Sequence, residues 1–418
     1  MSLFYVPLES YEERYTAQLS RAETGWLEAK WKKYGVEYTR INGEMHEHGD
    51  LPNKITTGVV LDVQTRTRWA FRQVETILHL METGDITGRD TIYFDDFWHP
   101  GIEQVRYMMD QLQVYPDLCS FLWAQSVDKY DFTYRSKPWM RPIEQGIGAM
   151  MDKIFVANTE LKDLVRESGI ARPGKTTVYV VGLPFDSVEV ASNFVKSPVE
   201  RTDKVVFSSR FDSEKNPDFM MEVAAKVIKR CKNAQFVVCT SAKELRSNSN
   251  HPLNMAAQMQ DAYPNNFIVK TGLTKKQYYH ELQSAKIQFN CADQDWVSYT
   301  LLEAVTAGAV PIYPVFRSFV ETMHGTVPMY RHKDAETAVQ LICDTLNKRN
   351  MWNPDPIAHR WGSIAGSHDY TWLRMLECMG IEHKVPMEEM EASVGDSWIM
   401  PYNDTFRKSL VNQRKAVK

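Results

Sequence analysis

Cysteine is sparse and scattered in this 418-residue chain: Cys119, Cys231, Cys239, Cys291, Cys343 and Cys378 form no CxxC pair and no Cys/His cluster at metal-ligand spacing. That excludes a zinc ribbon and a disulfide-stapled module, and it reads as reduced thiols packed inside a cytoplasmic protein. No window reaches the ~18 apolar residues of a membrane span, and Met1-Ser2-Leu3-Phe4-Tyr5-Val6-Pro7 lacks the basic and long apolar regions of a signal peptide. Positive charge is not in excess either. With 49 Lys and Arg against 53 Asp and Glu, no overall cationic field holds the chain to nucleic acid, although a local basic groove is compatible with these counts. A solenoid repeat is missing, and the single biased stretch, Ser241 to His251, reads as a polar surface loop.

What remains is the composition of a folded chain, 43% hydrophobic and 24% charged, too long for one ordinary core and suited to two domains of similar size. Short apolar runs alternate with stretches of helical period, the rhythm of βαβ units and parallel sheets. In the first half the expected strands are Leu3 to Pro7, Thr57 to Asp62, Thr91 to Phe94, Ser120 to Ala124 and Lys153 to Ala157, with helices such as Arg66 to Met81 and Ile102 to Gln113. The rhythm restarts after residue 200 with Lys204 to Ser208, a helix Phe219 to Arg230, Gln235 to Cys239, Asn266 to Val269, a helix Lys275 to Ser284, and Ile287 to Asn290. The hinge is placed in Val178 to Asp186. Residues 1–186, 187–375 and a helical extension 376–418, packing back on the first half, are the expected units.

Two segments carry chemistry. In Phe207-Ser208-Ser209-Arg210-Phe211-Asp212-Ser213-Glu214-Lys215-Asn216-Pro217 a strand runs into a polar loop that opens a helix. Arg210 and Lys215, beside a helix N-terminus, suit a diphosphate whose negative charge grows as it leaves. In Asp293-Gln294-Asp295-Trp296-Val297-Ser298-Tyr299-Thr300-Leu301-Leu302-Glu303 an acid before a helix and a second one inside it suit sugar and ribose hydroxyls, because an ionised carboxylate only accepts hydrogen bonds. The run Ala307-Gly308-Ala309 then lets a strand at Val310 start close to that helix.

These segments resemble the retaining glycosyltransferases of family 4, with an Arg-x(4)-Lys element followed by an acid-x(7)-Glu element over residues 178 to 325. The resemblance implies an α/β GT-B fold, two Rossmann-like doubly wound domains facing a central cleft, with a nucleotide sugar, most simply a UDP-sugar, as co-substrate. It implies that Arg210 and Lys215 hold the diphosphate, Asp295 the donor sugar and Glu303 the ribose, with Ser298, Tyr299 and Thr300 beside them. Gly272, Leu273 and Thr274 look like the loop that meets the base. Asp295 stands where the family usually has Glu, one methylene shorter, which bears on donor choice. Asp293-Gln294-Asp295 also satisfies an Asp-x-Asp metal pattern, and Asp95-Asp96 nearly does. Because Arg210 and Lys215 supply positive charge, a divalent metal is compatible with the site but not required, and no tightly bound cofactor is expected.

The first half departs from that family, since Pro7-Leu8-Glu9-Ser10-Tyr11-Glu12-Glu13-Arg14 replaces its glycine-rich loop. Asp128 and His99, at strand ends, are candidates for taking the acceptor proton, and Asp295 is counted with them as a catalytic candidate. Arg14, Trp98, Arg135 and Arg141 are candidate acceptor contacts. The elements around Arg14, Trp98 and Asp128 are similar to phage-encoded glycosyltransferases that decorate hydroxymethylated bases, which implies duplex DNA as partner and the host cytoplasm as location. Arg66, Arg68 and Arg72 on one helical face, Arg135, Lys137 and Arg141 among Tyr134 and Trp139, and the basic Thr405 to Lys418 tail offer cationic patches for it. The alternatives are a glycan, lipid or small-molecule acceptor, a nucleotide-sugar epimerase, and a nucleic-acid-binding module without turnover.

Overall fold

The computed structural model describes residues 1–9, 19, 25–43, 63–123, 125–195, 199–296, 298–322, 327–347 and 368–384. Within them lie two six-stranded parallel sheets. The first, ordered β2-β1-β3-β4-β5-β6, is built from β1 (Leu3–Val6), β2 (Tyr38–Arg40), β3 (Thr91–Phe94), β4 (Asp117–Phe121), β5 (Lys153–Val156) and β6 (Thr177–Val180). The second, ordered β12-β11-β10-β7-β8-β9, comprises β7 (Thr202–Phe207), β8 (Gln235–Cys239), β9 (Phe267–Lys270), β10 (Ala285–Phe289), β11 (Val310–Val315) and β12 (Met329–Arg331).

Central strands buried on both faces must be apolar at successive positions. In β1, Phe4 and Val6 point into one core with Ile92, Phe94 and Ile154, while Leu3 and Tyr5 point into the other with Tyr93 and Phe155. Helices Val63–Glu82, Ile102–Leu112, Lys137–Met150 and Thr159–Glu167 cover the first face; Trp26–Lys33 and His368–Met379 cover the second. Trp372 of the last helix is fully buried and stacks on Tyr34 with ring centroids 4.8 Å apart.

The second sheet is clad the same way. Val205, Phe207, Phe236 and Val238 meet helices Pro217–Arg230, Asn250–Ala262 and Ala335–Leu346, whereas Val206 and Val237 meet Ser187–Phe194, Lys275–Ser284 and Tyr299–Ala307. Gly308 ends the Tyr299–Ala307 helix with φ +77°, a left-handed cap, and an added Cβ there would lie 2.1 Å from Arg201 Nη2.

The α/β doubly wound expectation holds, with local corrections. The strand expected at Ser120 to Ala124 runs three residues earlier, Asp117–Phe121; Trp123 instead turns back, stacking on Phe121 and donating its indole N–H to the Asp95 carbonyl. The Ser241 to His251 loop ends in a helix, Asn250–Ala262, capped by Ser249. The expected strand at Thr57 to Asp62 lies outside the described residues.

Candidate functional site

In each sheet the chain reverses its direction of growth once, and loops leaving the two strands at that point diverge to open a crevice at their carboxyl ends. In the second sheet those strands are β7 and β10, which pair directly, Val205 with Ile287 and Val206 with Gln288. The loops after them carry Arg210 and Lys215 on one side and Asp293 and Asp295 on the other. Side chains and backbone tie the loops together: Asp293 N–H donates to the Glu214 carbonyl (2.8 Å), Asn216 Nδ2 to the Cys291 carbonyl (2.9 Å) and Lys215 Nζ to the Gln294 carbonyl (2.6 Å). Asn216 adopts φ +48° to end the first loop and start helix Pro217–Arg230.

Lys215 Nζ lies 3.9 Å from Asp295 Oδ1, and Arg210, 48% exposed at its side chain, pairs with Asp212 and Glu214. Burial raises the Asp295 pKa, while Lys215, the Ser298 hydroxyl and Arg210 oppose that rise. Asp293 behaves oppositely. Burial works against its charge, yet hydrogen bonds from His332 (2.6 Å), Lys333 (2.9 Å) and Asn216 hold its pKa below the usual carboxylate value. The two acids of the Asp-x-Asp pair therefore have separate partners. Among the described residues no group of three or more His, Cys, Asp or Glu is placed to hold a metal ion.

Glu303, 5% exposed, accepts from the hydroxyls of Tyr278 and Tyr279, each at 2.9 Å, and from Lys275 Nζ at 3.2 Å. These partners lie on helix Lys275–Ser284, whose capping box joins Thr274 and Gln277. The Gly272-Leu273-Thr274 turn thus leads directly into the helix that holds Glu303. Gly272, at φ +66°, is exposed with open space around it. Ser298 and Thr300 share hydrogen bonds with each other and with Tyr313, and Tyr299 donates to the Pro184 carbonyl in the segment between the sheets.

The first-sheet candidates are placed differently. Its switch point falls between β1 and β3. There Asp95 is buried against the Tyr5 and Tyr93 hydroxyls, both at 3.3 Å, and burial together with the neighbouring Asp96 charge pushes its pKa up to about 7. Asp96 turns away to Arg66, which also binds Glu9 at 2.6 Å. His99, 5% exposed, bonds through Nε2 to Gln73 (3.0 Å) and packs against Phe94; burial and the Arg66 charge hold its pKa down to about 3. Trp98 donates to Glu144 (3.1 Å), which also receives the Ser126 N–H and hydroxyl.

Asp128 meets Arg317, which follows β11: Nη1 lies 3.2 Å from Oδ1 and 2.9 Å from Oδ2. Arg317 also donates through Nε to Glu160 (2.7 Å) and stacks 4.6 Å from the Trp296 ring. Further contacts join the two carboxyl edges: Gln294 to Asp131 (3.0 Å), Asn158 to the Trp296 carbonyl (2.6 Å), and Thr159 N–H to Glu321 (2.9 Å). The strand-end loops of both sheets therefore face one another across a cleft. Arg317, Glu321, Tyr278 and Tyr279 were missed from sequence. Arg317 follows a predicted strand, a position that could have flagged it; the tyrosine pair reads as ordinary helix core.

Of the cationic candidates, Arg135 is exposed, while Arg141 donates to the Ser168 carbonyl at 2.9 Å, the end of helix Thr159–Glu167. The proposed Arg66, Arg68 and Arg72 face is corrected: Arg66 is buried between Glu9 and Asp96, because the helical period turns it inward, and only Arg68 and Arg72 are exposed. Arg14 and the Thr405 to Lys418 tail lie outside the described residues. No described helix is long and apolar enough to cross a membrane.

No protein-family model and no curated protein sequence matches the chain. Solved structures do share its fold. Trehalose-6-phosphate synthase OtsA aligns at TM-score 0.60 and 11% identity over 92% of this chain and 100% of its own. Sucrose-phosphate synthase from Thermosynechococcus elongatus aligns at TM-score 0.54 and 12% identity over 90% and 96%. The pneumococcal O-GlcNAc transferase GtfA, in complex with UDP and GlcNAc, aligns at TM-score 0.51 and 11% identity over 73% of this chain; the match spans only 59% of that longer protein. Two parallel six-stranded sheets with opposed carboxyl edges and these likenesses give the chain the GT-B fold.

Proposed function

We propose that the chain is a nucleotide-sugar-dependent glycosyltransferase that takes a UDP-sugar in the second-sheet crevice and transfers the sugar, with retention, to an acceptor hydroxyl. One observation carries the reading: the Arg210 to Lys215 loop and the Asp293 to Asp295 loop leave the two strands that flank the switch point and are bonded to each other there. Lys215 and Arg210 bind the diphosphate and stabilise the charge that grows on it, Asp295 binds the sugar, Glu303 the ribose, and Gly272 to Thr274 the base. GtfA, of the same fold, is a transferase seen with UDP.

The glycosidic C1–O bond to the diphosphate breaks as the acceptor oxygen bonds C1 on the same face, and the acceptor proton passes to the departing phosphate oxygen. That route is favoured because Asp128 is held by Arg317 and His99 is buried and bound to Gln73. The interdomain contacts limit water in the cleft, which protects the donor from hydrolysis.

For the acceptor we infer a hydroxymethylated base in DNA. Tyr134, Arg135 and Trp139 are exposed on the segment that begins at Asp131, itself bonded to Gln294 at the cleft, and the only acid between 132 and 150, Glu144, is buried. A cationic, aromatic rim suits a phosphate backbone and a base turned out of the stack. The test is transfer of label from a panel of nucleotide sugars to hydroxymethylated duplex DNA, with unmodified DNA as control. Label on the modified duplex alone supports both readings. Donor turnover without DNA labelling overturns the acceptor alone, and conversion of the donor to an isomer with no transfer makes the chain an epimerase.

A further inference from the structure

Glu303 reaches the crevice with most of its accepting capacity already committed. Oε1 accepts from Tyr279 and Lys275, and Oε2 accepts from Tyr278. An ionised carboxylate offers about four lone-pair sites, so among the described residues the arrangement leaves one open position, and it lies on Oε2. Tyr278 has a single hydroxyl hydrogen, shared between Glu303 Oε2 at 2.9 Å and, more weakly, Ser208 Oγ at 3.3 Å. Ser208 is the first residue after β7, at the root of the Arg210 to Lys215 loop. A continuous line of hydrogen bonds therefore runs from that loop through Tyr278 to Glu303 on helix Tyr299–Ala307.

We propose that Tyr278 and Tyr279 are positioning residues that fix the Glu303 carboxylate so that Oε2 presents its free lone pair to one ribose hydroxyl, making the site selective for ribonucleotide over deoxyribonucleotide donors. The inference rests on the reading of Glu303 as the ribose acceptor. Both tyrosines suit the task. Burial and the Glu303 charge raise their pKa values well above 10, so each remains a hydrogen-bond donor at neutral pH. Tyr279 is fully buried and stacks on Phe194 at 4.8 Å, which limits its freedom. A carboxylate already held in one rotation loses little entropy when the ribose arrives. Lys275, with a 34% exposed side chain, is the partner free to leave Oε1 if a second ribose hydroxyl arrives.

The experiment measures binding of UDP, 2′-deoxy-UDP and 3′-deoxy-UDP by calorimetry to wild type, Y278F, Y279F and S208A, with thermal unfolding of each. Wild type is expected to prefer UDP over one deoxy analogue by about tenfold or more, the scale of one hydrogen bond to a charged group. In Y278F and Y279F that preference shrinks by about fivefold, through weaker UDP binding, with the deoxy analogue's affinity nearly unchanged and kcat at saturating donor retained. S208A shows a smaller shift in the same direction and serves if a Phe variant fails to fold. Folded variants that keep the wild-type preference, or that weaken all three ligands equally, overturn the positioning role and leave the ribose reading standing. A wild type that binds UDP without preference overturns the ribose reading, and one that does not bind UDP overturns the donor reading itself.

Discussion

Arg317 and Asp128 come from opposite sheets and meet in the cleft, Nη1 to Oδ2 at 2.9 Å, with the Arg317 side chain 14% and that of Asp128 3% exposed. Glu160 takes the same guanidinium through Nε, and Trp296 lies under it. Burial alone would lower the arginine's pKa, but Glu160 and Asp128 raise it, so the charge is maintained. Arg317 itself adopts φ +49°, a left-handed conformation uncommon outside glycine and asparagine. The sequence made Asp128 a candidate base; in the structure it is first a clasp between the halves.

Breaking one side of a buried pair strands the other charge and costs about 3–5 kcal/mol. R317A and D128A are therefore each expected to lower the thermal unfolding midpoint and enlarge the radius of gyration in X-ray scattering. The double variant should do little more than either single one. A D128N enzyme that loses far more transfer than R317A, at equal stability, would return Asp128 to the chemistry.

In the proposed donor crevice, K215A is expected to lower kcat by about a hundredfold or more, the usual loss when a stabiliser of developing charge is removed. E303A should weaken UDP binding by about tenfold to a hundredfold while the chain remains folded. Calorimetry for binding and steady-state rates for kcat separate the two, and unchanged UDP affinity in E303A would remove the ribose assignment.

Asp95 and His99 make stability depend on pH with opposite signs. The Asp95 carboxyl, moved from 3.8 to about 7, holds its proton in the folded state, so its contribution is complete below 3.8 and is lost as pH rises toward 7. His99, moved from 6.5 to about 3, contributes fully above 6.5 and loses that contribution as pH falls toward 3. Between 3.8 and 6.5 the slopes oppose, each approaching about 1.4 kcal/mol per pH unit. D95N should expose the histidine's slope, stability rising with pH, and H99N the carboxyl's, stability falling with pH. Urea unfolding midpoints across that window read the difference.

On the proposed acceptor side, W139A and R135A are expected to raise KM for hydroxymethylated DNA without changing donor binding. Loss of one phosphate contact at Arg135 should lower the salt dependence of DNA binding by about one unit of slope. Unchanged DNA kinetics in both variants would move the acceptor surface elsewhere.

The sequence was most legible where local chemistry repeats. Apolar strands such as Thr91–Phe94 and Gln235–Cys239 came out residue for residue, because burial on both faces demands an unbroken apolar run. Tyr38–Arg40 was missed because a three-residue polar strand gives no period, and Asn250–Ala262 because its Ser249 cap lies inside a polar stretch. Arg66 was misplaced by composition: arginine on a helix suggests a solvated face, and only the acids brought near it from β1 and β3 show otherwise.

Taken alone, the sequence determined the alternation of strands and helices, the restart after residue 200, and the association of Arg210 and Lys215 with one strand end and of Asp295 and Glu303 with another. Each of these depends on neighbours a few residues away. The tertiary structure decided what stands across space: that β7 and β10 are adjacent at the switch point, that two tyrosines and a lysine hold Glu303, and that Arg317 occupies Asp128. A carboxylate's role depends on which donors surround it, and chain folding brings those donors from 24 to 189 residues away.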